Sequence, residues 1–331
     1  MRSALAPRAL LRRTFAPSAL LAAHPPRLQH PHKRLCFDLA CPAGAGHDGT
    51  IELTRWAALA LPAEVALHDT AVTVVEGVYD YPAASDGVWH VNFADPQLFV
   101  AYGSALLAQD ELQALEHPTL GSLREALLAE GQPALTEENG HATPVLVAGV
   151  ERRCELATAP DPAAGRLYGL YGNRFARASV DELRAALTVL APPTVSNLIA
   201  IAAPAGGRGR YQDRQLAQIL TTAVTGFAAA VAESHRRWSG GAVEIRTGFW
   251  GCGAFGGNRV VMALLQIVAA RLAGVDRVRF YAFDADGARA AAAAQADLDA
   301  ILAARPADEP LTELIERVAD LGHVWGTSDG T

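Results

Sequence analysis

Lysine is almost missing from this chain. Lys33 is the only one among 28 basic residues, and the rest are arginine. Such a bias follows from a GC-rich genome, so arginine frequency says little here about partners. The four cysteines, Cys36, Cys41, Cys154 and Cys252, form no CxxC pair and no zinc-ligand spacing. That excludes a disulfide scaffold and points to a reducing compartment. Histidines are scattered, with no HExxH or comparable cluster, so neither a metal nor a cofactor is implied. No apolar run reads as long and clean enough to span a bilayer, and no membrane partner is expected. A net charge of −7 argues against non-specific nucleic-acid binding.

What is present is a chain of 331 residues, half of them hydrophobic, enough for one large α/β domain or two small ones. Residues 1–34 carry Arg2, Arg8, Arg12, Arg13, Arg27, Lys33 and Arg34, with no acid before Asp38. Leucines and Phe15 are interleaved. Two readings stay open: a mitochondrial or plastid transit peptide, or a basic disordered tail or early start. Either way this stretch is set outside the fold, and the expected location is the cytoplasm, or an organelle if the segment is a transit peptide.

From residue 35 to 331 a single domain is expected. Residues 71–75 and 88–93 read as strands. A helix is expected over about 104–116, stopped by His117-Pro118, and another over about 120–130. Residues 143–150 read as a strand closed by glycine. Residues 158–176 read as loop. Ser179 and Glu182 form a capping box for a helix over 180–190. Residues 197–203 form a buried strand, 213–237 a long helix, 241–246 a strand, 259–274 a helix ended by glycine, and 277–283 a strand. An Ala-rich helix covers 288–304. No strong periodicity marks 36–61. Alternation of strands and helices makes this α/β, with a mixed sheet flanked by helices on both faces and additional helices.

One segment stands apart. Thr247-Gly248-Phe249-Trp250-Gly251-Cys252-Gly253-Ala254-Phe255-Gly256-Gly257-Asn258 places five glycines among large aromatics, between a strand and a helix. Such a turn brings backbone N–H groups close to a ligand, and the helix N-terminus adds positive potential, which together suit a phosphate or diphosphate. No GK[ST] follows, so it is not a Walker A loop, and Gly251-x-Gly253 does not continue as GxGxxG. The plainer reading is a tight turn with Trp250 and Phe255 as core anchors, and for those two aromatics it is the stronger one.

The segment closely resembles the poly(ADP-ribose) glycohydrolase family of macrodomains. That family carries a TGNWGCGAFGGD-like stretch around the diphosphate of ADP-ribose. The resemblance covers roughly residues 70–285. Val91-Asn92-Phe93-Ala94-Asp95 is similar to the family's VDFAN with its polar positions exchanged, and Gln109-Asp110-Glu111 to its QEE triplet. Tyr168-Gly169-Leu170-Tyr171 is similar to the tyrosine loop that clasps the ligand, and Asp80 falls where the family places an adenine-contacting acid.

By this resemblance the fold is a macrodomain. Glu111 is the acid/base, with Asp110 and Gln109 orienting ribose or leaving group. The ADP-ribose contacts come from Asp80, Asn92, Asp95, Gln109, Tyr171, Phe249, Gly251, Gly253, Ala254, Phe255, Gly256, Gly257 and Phe283. The family's GGG is replaced by Phe99-Val100-Ala101, while Phe249 and Asn258 replace an asparagine and an aspartate. Some bacterial effector macrodomains that resemble this family also lack the triple glycine and remove single ADP-ribose units from arginine, including on ubiquitin.

The expectation is therefore an ADP-ribosyl hydrolase acting on modified protein, with mono-ADP-ribosyl-arginine favoured and ubiquitin among the candidate carriers. Poly(ADP-ribose) is a second substrate reading. An ADP-ribose-binding reader that no longer cleaves, or a hydrolase of a small ADP-ribose derivative, are the alternatives. Cleavage at the anomeric carbon passes through an oxocarbenium-like transition state and needs a positioned carboxyl group. Adjacent Asp110 and Glu111 point about 100° apart on a helix, so they divide the work rather than face each other.

Overall fold

The computed structural model describes residues 5–63, 66–82, 86–238, 240–306 and 309–330. In chain order the strands are β1 (Ala9–Phe15), β2 (Ile51–Trp56), β3 (Ala71–Val75), β4 (Val88–Ala94), β5 (Glu137–Glu138), β6 (His141–Ala142), β7 (Val145–Leu156), β8 (Leu187–Ala202), β9 (Glu244–Gly248) and β10 (Arg277–Tyr281). The helices are α1 (Pro17–Ala23), α2 (Pro31–Ala40), α3 (Gln109–Glu116), α4 (Thr119–Ala129), α5 (Val180–Ala186), α6 (Asp213–Arg237), α7 (Arg259–Ala273), α8 (Ala285–Ala304) and α9 (Leu311–Asp320).

One mixed eight-stranded sheet runs β1-β2-β7-β8-β4-β9-β10-β3. Pairs from β8 to β3 are parallel, and those from β1 to β8 are antiparallel. Successive residues of the central strands serve opposite layers, as strand geometry requires. Ile199 and Ile201 join the core under α6, α7, α8 and α9, while Leu198 and Ala200 join the core under α1 and α4. A third cluster ties α2, α3 and α5 to the far end of β7 through Cys36, Leu115, Leu183, Cys154 and Leu156.

Several expectations need correction. Residues 9–34 are not outside the fold: β1 lies antiparallel on β2, and α1 and α2 pack on the sheet and α3. Arg12, one of the charges that gave this stretch its tail-like character, pairs with Glu52 and Glu233. Residues 1–4 lie outside the described residues.

The helix expected over 104–116 starts at Gln109, because Ser104 accepts the Leu106 N–H and Leu107 pairs with Gly172 through backbone bonds. Gly149 does not close a strand. It forms a bulge at φ +79°, and β7 continues to Leu156. The capping box of Ser179 and Glu182 is present, yet the helix stops at Ala186 and β8 begins at Leu187, much earlier than expected. Pairing along β7 outweighs the local helical signal there. Finally, α6 is long and apolar enough by composition to cross a membrane, contrary to the sequence expectation, but 67% of that window is buried inside this fold.

Candidate active site

Parallel strands end on one side of a sheet, and ligands of open α/β folds bind there. Strands β4, β8, β9 and β10 are mutually parallel, so the loops following Ala94, Ala202, Gly248 and Tyr281 share that side.

The first of these loops leads into α3. Glu111 is the third residue of α3, and its carboxylate accepts the Ala108 N–H at 2.9 Å, closing the helix start. Asp110 and Glu111 are both buried, with 5% exposure each. Asn92, fully buried on β4, donates from one amide nitrogen to Asp110 Oδ1 and Gln113 Oε1, each at 3.0 Å. Gln109 is fixed by two bonds to β4: its Oε1 accepts the Phe93 N–H at 2.7 Å and its Nε2 donates to Val91 C=O at 3.1 Å. Burial, then the neighbouring Glu111 charge, pushes the Asp110 carboxyl up to about 8. Asp95 adds a further negative charge nearby and itself accepts the Gln97 N–H in a turn. Asn92 and Gln109 thus hold α3 against β4, and Asp95 shapes the strand end.

The exchanged loop 99–101 has a definite form. Phe99 sits at φ +52°, a left-handed backbone unusual for a bulky residue, and its ring is completely buried. Tight turns follow through Val100, Tyr102 and Ser104. The N-terminal segment braces this loop: Gln29 and His30 donate to Gly103 C=O, and the Arg27 N–H donates to the Tyr102 hydroxyl.

The glycine segment divides between core and surface. Trp250 is fully buried and donates to Ile201 C=O at 2.9 Å, so it is an anchor. Phe255 is partly buried against the same core. Phe249 packs edge-on against Phe280 at 5.1 Å with the Arg259 guanidinium 5.0 Å from its ring centre. Gly251 is at φ +76°, and a Cβ there would lie 2.5 Å from Ala203 Cβ. Gly256 is at φ +69°. These two positions need glycine for the loop to keep its shape. Asn258 caps α7, accepting the Val260 and Val261 N–H groups. Ala254 is exposed beside Gly253, and Gly257 is buried under the loop.

Two exposed aromatics flank this side. Tyr171 is 43% exposed, and Gly172 beside it is tied to Leu107 by a pair of backbone bonds. Phe283 is 66% exposed at φ +66°, held by reciprocal backbone bonds with Gly77. Asp80 accepts from Tyr281 Oη at 2.6 Å and pairs with Arg246. Burial opposes its charge, but the Tyr281 bond and then Arg246 and Arg279 prevail and hold the carboxyl below its ordinary range.

Sequence reasoning missed a polar and aromatic bridge between Asp80 and α3. Tyr81 stacks on His90 at 4.4 Å and accepts from Gln113 Nε2 at 3.1 Å, and His90 bonds the Asp80 carbonyl. The tyrosine-rich run at 79–81 carries that signal.

It also missed the C-terminal segment. Trp325 stacks on Tyr211 at 4.4 Å. Residues 326–330 then cross the glycine loop, where Asp329 N–H meets Gly253 C=O at 3.4 Å and Asn173 donates to Gly330 C=O at 3.1 Å. The Tyr171 hydroxyl lies among the Asp329 and Glu111 charges and the Gln109 backbone N–H. Asp329 therefore lies against the glycine loop within electrostatic range of Tyr171, and Tyr171 within range of Glu111 in the first turn of α3.

Residues 187–290 match the family model described as poly(ADP-ribose) glycohydrolase, macro domain fold. That match runs from β8 through the glycine segment to the first turns of α8. Among solved structures, it is similar to poly(ADP-ribose) glycohydrolase from Thermomonospora curvata, with 18% identity, a TM-score of 0.39, and 86% of this chain and 85% of that one covered. The same enzyme bound to the inhibitor ADP-HPD gives 18% identity and a TM-score of 0.41 over 86% and 84%. The Deinococcus radiodurans enzyme in complex with ADP-ribose gives 14% identity and a TM-score of 0.39 over 86% and 93%. No curated relative matches the chain.

Proposed function

We propose that this protein hydrolyses the bond between an ADP-ribose unit and a modified protein side chain. The observation that carries this reading is the convergence of three segments remote in sequence. The C-terminal segment bonds Gly253 through the Asp329 N–H at 3.4 Å and accepts from Asn173, two residues past Tyr171, at 3.1 Å, and the Tyr171 hydroxyl lies within electrostatic range of Glu111 at the start of α3. A pyrophosphate on the glycine loop would leave its outer ribose toward Tyr171 and the first turn of α3.

In the reaction, water adds at the ribose anomeric carbon, and the bond from that carbon to the side-chain nitrogen or oxygen breaks. On this reading Glu111 takes the proton from water or delivers one to the leaving group. Asp110, held protonated near neutrality by burial beside Glu111, serves as a hydrogen-bond donor to ribose or as a proton reserve. Preorganisation comes from the Asn92 and Gln109 bonds, which fix α3 before substrate arrives.

Single ADP-ribose units, with arginine as the linked side chain, are the favoured substrate. Support comes from the loop at 99–101: a buried phenylalanine anchor and tight turns stand where flexible glycines would let the backbone follow a second ribose. The test is release of ADP-ribose from a panel of ADP-ribosyl-arginine protein (modified ubiquitin included), ADP-ribosyl-glutamate protein and poly(ADP-ribose). Release from the arginine conjugate alone is expected. Preferential cleavage of poly(ADP-ribose) would reverse the substrate assignment. Binding of ADP-ribose without release from any conjugate would make the protein a reader.

A further inference from the structure

Beneath the first turn of α3 lies the chain's one lysine. Lys33 projects from α2 and is 2% exposed. Its Nζ donates to the main-chain carbonyl of Glu111 at 3.2 Å and lies 5.3 Å from the ring centre of Phe175. Phe175 follows the clasp residue Tyr171 by one turn of chain and takes a bond from His32 on its carbonyl. One ammonium thus touches the start of the acid-bearing helix and the base of the clasp loop.

Burial of a cation needs compensation. Of the buried arginines, Arg55, Arg152, Arg153 and Arg246 each have a carboxylate partner, while Arg166 donates to the Ala159 carbonyl. Among the described residues, no carboxylate oxygen lies within the 4.0 Å of an ion pair from Lys33 Nζ, so its compensation comes from the Glu111 carbonyl and, over a longer range, from the negative charge of the Asp110–Glu111 pair. A compact ammonium fits this role more closely than a forked guanidinium.

We propose that Lys33 is the positioning residue of this site: it fixes the Glu111 main chain and supplies a cation beneath the Asp110–Glu111 pair. The proposal rests on the reading of Glu111 as the acid/base. The groups facing this cluster are Asp110 and Glu111 on α3, Asp95 just past β4, Tyr171 with Asp329 beyond it, and His30 and Cys36 on either side of Lys33 itself. Loss of the ammonium leaves the buried pair with no cation, so Asp110 holds its proton to higher pH. The acid limb of the rate profile then moves upward.

The test uses the fact that the chain has one lysine. Protein labelled with 13C at lysine Cε gives one side-chain signal, which can be followed against pH in the intact chain. Lys33 is expected to titrate near 8 rather than at 10.5, and to fall by at least about half a unit in Glu111→Gln, where the stabilising negative charge is gone. Titration near 10.5, or a midpoint unmoved by Glu111→Gln, would overturn the proposal.

In activity, Lys33→Met is expected to lower kcat by about tenfold or more with KM within about threefold, and to raise the acid limb, with Lys33→Arg recovering part of the loss. A folded Lys33→Met with unchanged kcat and profile would also overturn it, and if that variant does not fold, the wild-type titration still decides. Coupling without any hydrolysis would reject the enzymatic reading alone. Hydrolysis with an uncoupled Lys33 would reject the positioning role alone.

Discussion

Asn92 Nδ2 donates to Asp110 Oδ1 across 3.0 Å inside the fold, and this bond defines how the acids of α3 are presented. The same amide nitrogen also serves Gln113, so one β4 side chain fixes two successive positions of the α3 inner face.

Asp110 should make stability depend on pH in a definite direction. Its carboxyl is raised from 3.8 to about 8 by burial and by Glu111. A raised acid binds its proton more tightly in the folded state, so its stabilising contribution is complete below about pH 4 and is lost as pH rises through about 8. Asp110→Asn keeps the acceptor for Asn92 and removes the titration. Its stability relative to wild type should increase between pH 4 and 8, by at least about 1 kcal/mol, and level off above. Urea unfolding at pH 5, 7 and 9 checks this; a constant difference would contradict the assignment.

Gly251→Ala is expected to cost about 1–3 kcal/mol, since the new Cβ meets Ala203 at 2.5 Å and the backbone is left-handed at φ +76°. Thermal melting gives the cost, and calorimetry should show ADP-ribose affinity weakened by tenfold or more, of order 10, as the loop moves. Stability lost with affinity intact would mean that this turn is architectural only.

Asp329 places a carboxylate beside Gly253, on the loop proposed above to receive a diphosphate. Asp329→Ala should therefore tighten ADP-ribose binding about fivefold at low salt, with the gain shrinking as salt is raised. A weakened affinity would instead make Asp329 part of the ligand contact set.

The parts of this fold legible in the sequence were those governed by local rules. The five-glycine segment, the end of α7 at Gly274, and the Ser179–Glu182 box all depend on neighbours a few residues away, and the structure has each of them. The misses were decided by distant partners. Residues 187–196 extend β8 because β7 lies alongside, which nothing local reveals. The basic N-terminal stretch looked like a tail because Arg12 and Lys33 find their partners at Glu52, Glu233 and Glu111, far along the chain. Asp329 could not be placed near the site from sequence at all, since only the path of the tail past Trp325 brings it there. Lys33 alone left a trace: a single lysine in an arginine-rich chain.

The most direct measurement compares wild type with Glu111→Gln for release of ADP-ribose from ADP-ribosyl-arginine protein, with ADP-ribose affinity measured alongside. The glutamine can still accept the Ala108 N–H, so the helix start should persist. The account predicts that release falls by at least about a thousandfold while affinity stays within about threefold. Undiminished release by Glu111→Gln would contradict it.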